Sequence, residues 1–279
     1  MKRRINRGSI LITGCSSGIG KACALGLRKR GYRVFASARK QSDVSKLLKE
    51  DFEAVQLDLA DTNSINQAVQ LVFERTGGKL DALFNNGAFG QPGAVEDLSR
   101  SLLRDQFETN VFGTQELTNL VVPKMRDQGH GRIIYNSSVL GLVALTFRGA
   151  YNASKFALEA LADILRMELH ETNIQVILIE PGPILTNFRR NSLELYKKNI
   201  NAQASPHWEI YKSMENRLTQ EGAAVPFTLL PEAVLKKVVV ALESRRPKIR
   251  YYVTFPTYLF AGLRRILPDW ALDWCLRRV

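Results

Sequence analysis

The sequence predicts an α/β fold, with a doubly wound parallel sheet of about seven strands, helices on both faces and a C-terminal helical tail. Two observations lead to this fold class. Short apolar strand segments alternate with helical segments over about the first 180 residues, which indicates βαβ units and a parallel sheet. A glycine-rich turn joins the first strand to the first helix, as is typical of this architecture.

The first half of the chain alternates regularly between predicted strands and helices. Short apolar runs predict the strands, and apolar positions at helical spacing predict the helices. Gly31 ends the first helix, because glycine readily adopts the left-handed conformation found at helix ends. The predicted strands are 9–12, 32–37, 54–57 and 80–84, and the predicted helices run from the glycine-rich turn to about residue 30, over 43–50 and over 62–76.

The second half begins with two predicted helices, or one long broken pair, over residues 99–127. Pro123 lies near the last turn of this stretch or marks a kink. Residues 184–226 are polar and partly helical, and a long insertion in a compact fold is more often functional than not. The remaining predicted elements are strand 132–136, helix 149–171, strand 174–179 ended by Pro181-Gly182, helix 231–243 with Pro231 in its first turn, and strand 250–254.

The formal net charge of +12 is high for 279 residues. Such an excess fits nucleic acid, an anionic membrane surface, or a solvated basic face that attracts anionic cofactors. No recognisable nucleic-acid motif is present, so we expect no nucleic-acid partner. The basic residues cluster at the two ends of the chain, as Lys2, Arg3, Arg4 and Arg7 at the start and Arg264, Arg265, Arg277 and Arg278 at the end.

The sequence favours a cytoplasmic protein. No apolar run follows the N-terminal charges, so no signal peptide is expected. No window approaches the roughly 18 apolar residues of a membrane span. Cys15, Cys23 and Cys275 form neither a metal-ligand spacing nor a disulfide framework, which fits a reducing compartment and predicts no metal site.

Tyr151 and Lys155 lie four residues apart in the predicted helix 149–171, on one face and one turn apart. A phenol with a pKa near 10 exchanges protons poorly at neutral pH. A nearby ammonium lowers the pKa of the phenol, so Tyr151 becomes a candidate general acid–base. Tyrosines beside surface lysines give the same spacing, and the assignment therefore depends on the rest of the site.

Gly14, Gly18 and Gly20 follow the first strand and open the first helix. Glycine lets the backbone approach a pyrophosphate, and the helix N-terminus offers free N–H groups and the positive end of its dipole. The pattern T-G-x-x-x-G-x-G resembles the signature of the single-domain short-chain dehydrogenases/reductases. This resemblance implies a Rossmann fold with an NAD(P) cofactor, and it adds the turn residues Ser16, Ser17 and Ile19 to the expected cofactor contacts.

The end of the second predicted strand favours NADP(H) over NAD(H). NAD binders place an acidic residue there for the ribose 2′-hydroxyl, whereas NADP binders place an arginine for the 2′-phosphate. The chain reads Ala36-Ser37-Ala38-Arg39-Lys40 and offers no carboxylate. Arg39 is suited to a bidentate phosphate contact, Lys40 follows it, and Ser37 would add one hydrogen bond. The competing interpretation leaves Arg39 and Lys40 facing solvent only.

The resemblance also implies cofactor contacts after the third, fourth and sixth strands. Asp58 would bind the adenine amino group, or cap a turn, with Leu59 beside the ring. Where the family reads N-N-A-G, this chain reads N-N-G-A, and we expect the glycine to loosen that turn. Pro181, Gly182, Ile184 and Thr186 resemble the P-G-x-x-x-T segment that fixes the nicotinamide. The contacts at the fourth strand are Asn85, Asn86 and Gly87.

The catalytic set implied by the resemblance is Asn110, Ser138, Tyr151 and Lys155. Ser138 lies 13 residues before Tyr151 and would donate to the substrate carbonyl oxygen. Ser137 is the weaker alternative, because alternation along a strand points the two side chains in opposite directions. Lys155 would also bind the nicotinamide ribose, and Asn110 would hold a water that links the lysine to solvent.

We expect one domain over residues 1–279, because no linker, repeat or low-complexity segment separates two units. Its expected parts are the cofactor-binding and catalytic core 9–184, the substrate-loop insertion 185–230, the last helix and strand 231–254, and the basic aromatic tail 255–279.

The expected substrate is a lipophilic carbonyl or alcohol, because apolar residues follow Ser138 and recur in the insertion. Leu140, Leu145 and Phe188, with Ser138 and Tyr151, are the candidate substrate contacts. The chain resembles bacterial NADP-dependent aldehyde reductases related to retinol and 17β-hydroxysteroid dehydrogenases, and aldehyde reduction is favoured. The alternatives are a retinol- or hydroxysteroid-type dehydrogenase, a sugar-nucleotide epimerase or dehydratase, and a non-catalytic NADP-binding regulator.

The sequence leads us to expect two kinds of partner. The family resemblance implies a homodimer or homotetramer. The C-terminal tail combines Trp270 and Trp274 with arginines, and such a stretch lies on the inner face of a membrane as a peripheral contact, or packs on the domain or a dimer partner.

Overall fold

The framework of the protein is one seven-stranded sheet in which every neighbouring pair is parallel. The computed structural model describes residues 7–220 and 222–278, so the predicted basic cluster Lys2, Arg3 and Arg4, together with Glu221 and Val279, lies outside the described residues. The strands are β1 (Ser9–Ile12), β2 (Arg33–Ala38), β3 (Glu53–Gln56), β4 (Ala82–Asn85), β5 (Gly131–Asn136), β6 (Ile174–Glu180) and β7 (Arg250–Tyr252).

The strand order is β3-β2-β1-β4-β5-β6-β7. The chain therefore winds outward from β1 in one direction, returns to β4 and winds outward in the other. In open α/β sheets, ligands bind at the carboxyl ends of the strands where this direction reverses. Here that point lies between β1 and β4.

Helices cover both faces of the sheet, which confirms the predicted fold class. One buried cluster joins the first face of the sheet to α1, α2 and α9, and a second joins the other face to α3, α5 and α6. The helices that pack on the sheet are α1 (Gly18–Lys29), α2 (Gln41–Lys49), α3 (Thr62–Thr76), α5 (Thr114–Asp127), α6 (Gly149–Glu168) and α9 (Glu232–Glu243), whereas α4 (Arg100–Phe107) packs on α6.

The predicted break within residues 99–127 is a π-helical turn, Glu108–Gly113, which separates α4 from α5. Such turns occur often at functional sites, and this one carries Asn110. Pro123 lies inside α5 near the start of its last turn, the first of its two predicted positions. The strands begin and end within two residues of their predicted bounds.

The predicted insertion contains α7 (Phe188–Asn199) and α8 (Trp208–Thr219). These helices share a small apolar cluster around Tyr196, Tyr211 and Met214. The Tyr211 hydroxyl accepts from the Ala94 N–H at 2.8 Å and donates to Asp97 at 2.6 Å. The insertion is thereby fastened to the loop after β4, beside the carboxyl edge of the sheet.

The predicted tail forms α10 (Phe255–Ile266) and α11 (Asp269–Leu276). Phe260 and Leu276 pack with Val143, and Leu263 and Leu272 cover them. One side of the tail thus packs on the domain. Along 7–220 and 222–278, no helix has both the length and the apolar character needed to cross a bilayer.

Candidate active site

The glycine-rich turn has the shape that an anion-binding turn requires. Gly14 and Gly18 have φ values of 71° and 57°, where a side chain is strained. A Cβ at Gly20 would collide with the Gly14 carbonyl. Ser17 caps α1 without a side-chain hydrogen bond, and the first turn of α1 has no acidic residue. The N–H groups of α1 are therefore left for a phosphate.

A hydrogen-bond network around Thr13 holds the ends of β1, β4 and β5 together. Thr13 Oγ1 accepts from the N–H groups of Asn86 (2.8 Å) and Gly87 (2.7 Å). Asn86 Nδ2 donates to the Thr13 carbonyl at 2.8 Å, and Asn86 Oδ1 accepts from Asn136 at 2.9 Å. The sequence reasoning did not select Thr13, although the threonine of the T-G-x-x-x-G-x-G pattern was its signal.

Gly87 does not loosen its turn, contrary to the expectation from the N-N-G-A order. Its φ is not in the left-handed region. A Cβ there would lie 3.2 Å from Leu59 Cδ1 and from Thr13 Oγ1, so close packing favours glycine. The Asn85 side chain is buried and donates to Thr118 Oγ1 at 2.9 Å. The backbone of Asn85 is therefore the part available to a ligand at the carboxyl edge of the sheet.

Arg39 and Lys40 are exposed just beyond β2. No ion pair holds Arg39 among the described residues, so its guanidinium is available to a phosphate. Ser37 is completely buried, with an unpartnered hydroxyl, and this placement does not support its predicted hydrogen bond. Asp58 Oδ1 accepts from the Ala60 N–H at 3.0 Å, the turn-capping contact that was its alternative interpretation.

Tyr151, Lys155 and Ser138 converge at the carboxyl edge of the sheet. The Ser138 hydroxyl lies near enough to the Tyr151 hydroxyl to lower the pKa of the phenol. Lys155 is buried, and its Nζ donates to the Asn136 carbonyl at 2.7 Å and lies 5.6 Å from the centre of the Tyr151 ring. Helix α6 supplies the tyrosine and the lysine, and the end of β5 supplies the serine and the carbonyl.

The pKa shifts of Tyr151 and Lys155 differ from the sequence expectation, in which the lysine lowers the pKa of the phenol. Desolvation raises the pKa of Tyr151 to about 12, and the nearby Ser138 hydroxyl acts in the opposite direction. Desolvation also lowers the pKa of Lys155 to about 8, opposed by the Glu159 carboxylate. The phenol is consequently protonated at neutral pH, as a proton donor must be.

The structure separates Ser138 from its alternative, Ser137. Ser138 faces Tyr151, and its Oγ accepts from the Leu140 N–H at 3.1 Å. Ser137 Oγ points toward Glu159, since a Cβ at Gly141 would lie 2.7 Å from that oxygen and 3.2 Å from Glu159 Oε1. The two serines therefore serve opposite sides of β5, as strand alternation predicts.

Asn110 is buried in the π-helical turn and joins two segments of the site. Its Oδ1 accepts from the Phe89 N–H at 3.2 Å, and its Nδ2 donates to the Phe89 carbonyl at 3.0 Å and to Ser154 Oγ at 3.1 Å. The side chain thus fixes the loop after β4 against α6. Its predicted link to Lys155 through a water stays a prediction.

The segment after β6 is fixed on three sides. The Pro181 carbonyl accepts from the Val139 N–H at 2.8 Å, and a Cβ at Gly182 would collide with Thr254. Ile184 forms a parallel bridge with Leu229. Thr186 Oγ1 accepts from the Phe188 N–H at 3.2 Å and so caps the start of α7. This places the predicted nicotinamide segment between the glycine-rich turn and the insertion.

Two of the predicted apolar substrate residues lie at the site and one does not. The Phe188 ring meets the Tyr151 ring edge-on, with centroids 5.2 Å apart, and Leu140 is buried directly after Ser138. Leu145 packs instead with Phe260 and Leu263 beneath the C-terminal helices. A hydrophobic pattern in sequence does not distinguish these two environments.

A buried ion cluster behind Lys155 escaped the sequence reasoning altogether. Arg250 of β7 binds Glu159 (2.8 Å), Asp163 (2.8 Å) and Glu180 (3.0 Å). Desolvation and the Glu159 charge raise the pKa of Glu180. The residues come from α6, β6 and β7, so their meeting depends on the tertiary fold and has no local signal.

The family model described as short chain dehydrogenase matches residues 9–197. The chain belongs to the short-chain dehydrogenase family. It is 43% identical over 270 residues to the uncharacterized oxidoreductase YbbO of Escherichia coli, covering 97% of this chain and 94% of that protein. It is 35% identical to bovine retinol dehydrogenase 8, covering 87% and 80%, and 32% identical to 3-ketodihydrosphingosine reductase of Bacteroides thetaiotaomicron, covering 96% of each.

Solved structures give the same fold. A short-chain dehydrogenase from Streptomyces avermitilis superimposes with a TM-score of 0.78 at 27% identity, covering 96% of this chain and 97% of that one. Actinorhodin polyketide ketoreductase with NADPH gives a TM-score of 0.73 at 27% identity, covering 88% and 95%. The chain is thus an oxidoreductase whose fold binds a nicotinamide cofactor, and its uncapped, glycine-shaped turn fits that group.

Proposed function

We propose that the protein uses NADPH to reduce a lipophilic carbonyl, with a medium- or long-chain aldehyde as the favoured substrate. The observation that carries this proposal is the meeting of Ser138 and the protonated Tyr151 beside the Phe188 ring. Two hydroxyl groups can then donate to the carbonyl oxygen of the substrate, and the aromatic ring of Phe188 lies next to them.

The chain's own residues position the reacting oxygen and move one proton. Ser138 Oγ already accepts the Leu140 N–H, so its hydroxyl hydrogen is available to the carbonyl oxygen. Tyr151 gives its proton to that oxygen as the alkoxide forms. Lys155 holds the ribose hydroxyls and stabilises the phenolate left on Tyr151. The bound nicotinamide supplies the hydride to the carbonyl carbon.

Arg39 supports NADPH as the reductant. The residue is exposed beyond β2, carries no ion pair among the described residues, and has no acidic neighbour between positions 36 and 40. A guanidinium binds a 2′-phosphate in bidentate fashion. The expected cofactor contacts remain those of the glycine-rich turn, Asn86, Gly87, Lys155 and the 181–186 segment.

The lipophilic substrate is supported by the surface around the site. Phe188, Leu185 and Leu229 are partly exposed beside the segment that follows β6, and apolar side chains next to a reactive group favour an apolar substrate. The names of two relatives, retinol dehydrogenase and 3-ketodihydrosphingosine reductase, point in the same direction. Oxidation of a retinol or hydroxysteroid is the alternative reaction, and a non-catalytic NADP-binding role is the remote one.

The decisive experiment is NADPH oxidation over matched substrates. Linear aldehydes from four to fourteen carbons, retinal and a 17-ketosteroid would be assayed at equal concentrations, about 0.1 mM each, as is typical near KM. We expect kcat/KM to rise with aldehyde length and to exceed the values for retinal and the ketosteroid. Preference for retinal or the steroid would establish the alternative, and no turnover of any carbonyl would contradict a reductase.

Phe188 provides the structural control for this panel. Phe188→Ala removes the aromatic wall without touching either hydroxyl donor, so it should lower kcat/KM for dodecanal by about tenfold and leave butanal almost unchanged. Leu48→Ala, on the distant surface of α2, is the matched variant that should change neither value. Equal losses for both aldehydes would place Phe188 outside the chain-binding surface.

A further inference from the structure

Helix α10 has apolar side chains on both of its sides. Thr257, Phe260 and Ala261 are buried against the domain. Phe255, Tyr258, Leu259 and Ile266 are exposed, and they are spaced at i, i+3, i+4 and i+11, so they share the opposite side of the helix. We call these four residues the outer stripe. A helix that is apolar on both sides normally has an apolar partner on each.

The outer stripe does not end with α10. Trp270 and Trp274, one turn apart on α11, are 76% and 57% exposed, and Ile266 at the end of α10 is 80% exposed. At the other end, the Phe255 ring contacts the Phe227 ring at 4.9 Å. Large exposed apolar surfaces of this kind mark contacts with another protein or with a membrane.

The outer stripe is continuous with the mouth of the active site. Phe227 lies two residues before Leu229, whose N–H and carbonyl bond to Pro183 (3.1 Å) and Leu185 (2.8 Å). Leu185 is also exposed, and Thr186 follows it in the segment that reaches Phe188 and Tyr151. The outer stripe is therefore linked, through these paired backbone segments, to the segment that reaches the catalytic tyrosine.

Cations border the outer stripe. Lys237 Nζ lies 3.5 Å from the Tyr258 hydroxyl, and Arg265 acts electrostatically on Tyr252, whose ring meets Tyr258 at 5.2 Å. Arg278 stacks on Trp274 at 3.7 Å. Residues 255–266 contain no acidic side chain. The carboxylates of α11 are Asp269 and Asp273, the latter 3.9 Å from Arg277.

We propose that α10 and α11 dock the protein on an anionic lipid bilayer, with the outer stripe in the acyl–headgroup boundary and the flanking cations at the lipid phosphates. Aromatic and aliphatic side chains beside arginine and lysine are the composition of interfacial helices, and tryptophan favours this depth. No helix in the described residues is both long and apolar enough to span a bilayer, so the proposed contact is an interfacial one. The docked face then opens the active site toward lipid.

Vesicle co-sedimentation of the full-length protein tests the docking without any substrate. Vesicles of phosphatidylcholine with phosphatidylglycerol would be compared with vesicles of phosphatidylcholine alone. We expect binding to the anionic vesicles that weakens with salt, and a loss of about tenfold or more in partitioning for Leu259→Asp and for Ile266→Asp. Circular dichroism and NADPH binding would confirm that both variants fold.

Leu48→Asp is the matched control, because Leu48 on α2 is 51% exposed and Leu259 is 42% exposed. This variant should bind vesicles like the unaltered protein. Absence of vesicle binding, or equal losses for Leu48→Asp and Leu259→Asp, would overturn the proposal. A change from dimer to monomer in Leu259→Asp, measured by sedimentation without vesicles, would assign the face to a second copy and would also overturn it.

The delivery of substrate from lipid rests on the proposed function, and a separate measurement addresses it. Reduction of tetradecanal presented in anionic vesicles should fall about tenfold in Leu259→Asp, while reduction of water-soluble butanal stays unchanged. If Leu259→Asp loses vesicle binding but reduces tetradecanal at an unchanged rate, the docking proposal stands and the delivery of substrate from lipid is rejected. Failure of all aldehyde reduction would reject the proposed function and leave the vesicle result standing.

Discussion

The catalytic edge of the sheet buries polar side chains, whereas the C-terminal helices expose apolar ones. At the edge, polar and charged groups such as Asn85, Lys155 and Glu159 are buried and held by hydrogen bonds or ion pairs. At α10 and α11, apolar groups such as Ile266 and Trp270 are left in solvent. Buried polar groups define a geometry, because each must be partnered, whereas exposed apolar groups define a surface for another phase or molecule.

The difference predicts two kinds of mutational response. Substitutions at the edge should disturb chemistry or folding, because they leave buried partners unsatisfied. Substitutions on the outer stripe should leave both almost unchanged and alter only association.

Tyr151→Phe should have the largest effect. It removes the only proton that the proposal delivers to the substrate oxygen, while keeping the ring that packs on Phe188. We expect kcat to fall by about 10²–10⁴-fold, with the Kd for NADPH changed less than about twofold. Stopped-flow NADPH oxidation and titration calorimetry would measure the two quantities. A residual rate above about a tenth of the original would contradict the assignment.

Arg250→Met should be the most damaging change to stability. The guanidinium binds Glu159, Asp163 and Glu180 together, and removing it leaves the carboxyl groups of a partly buried cluster without this cation. We expect the free energy of unfolding to fall by about 3–5 kcal/mol, measured by urea denaturation. Arg265→Met, on the surface of α10, should cost under about 0.5 kcal/mol. Similar costs for the two variants would remove the contrast between the regions.

Arg39→Ala tests the cofactor choice at the rim of the catalytic edge. Loss of a charge-assisted contact to the 2′-phosphate should raise KM for NADPH by about 10- to 100-fold and leave KM for NADH within about twofold. Lys49→Ala, a neighbouring exposed cation at the end of α2, is the control and should change neither. Equal use of NADH and NADPH by the unaltered protein would reject the NADP assignment directly.

The pH dependence of reduction should report Lys155. Desolvation lowers the pKa of the lysine to about 8, so its positive charge is present below that pH and is lost above it. We therefore expect kcat/KM to be constant near neutral pH and to decline by up to about tenfold per pH unit above 8. Tyr151, with a pKa of about 12, stays protonated over this range. A profile flat to about pH 10 would mean that the lysine retains its ordinary pKa.

The smallest expected effect is on the stability of the outer surface. Trp270→Ala should change the free energy of unfolding by less than about 0.5 kcal/mol, because the ring is already exposed. Phe260→Ala, on the buried side of α10, should cost about 3 kcal/mol. Thermal unfolding of both variants would measure the contrast. A large cost for Trp270→Ala would show that its ring packs on the domain.

The sequence by itself determined the family, the sheet and most of the candidate site. Local patterns carry this information, since strand and helix periods, a glycine-rich turn and a tyrosine–lysine pair each occupy a few consecutive residues. Ser138 and Tyr151 were assigned from a resemblance, and the structure brings them together. The predicted elements were correct to within two residues for the strands.

The tertiary structure alone decided the contacts between segments that are far apart in the sequence. It placed a π-helical turn before α5, buried Ser37, and packed Leu145 against the C-terminal helices. It assembled the Arg250 cluster and raised the pKa of Tyr151, where the isolated spacing predicted a decrease. Desolvation and packing are properties of the whole fold, so no short stretch of sequence encodes them.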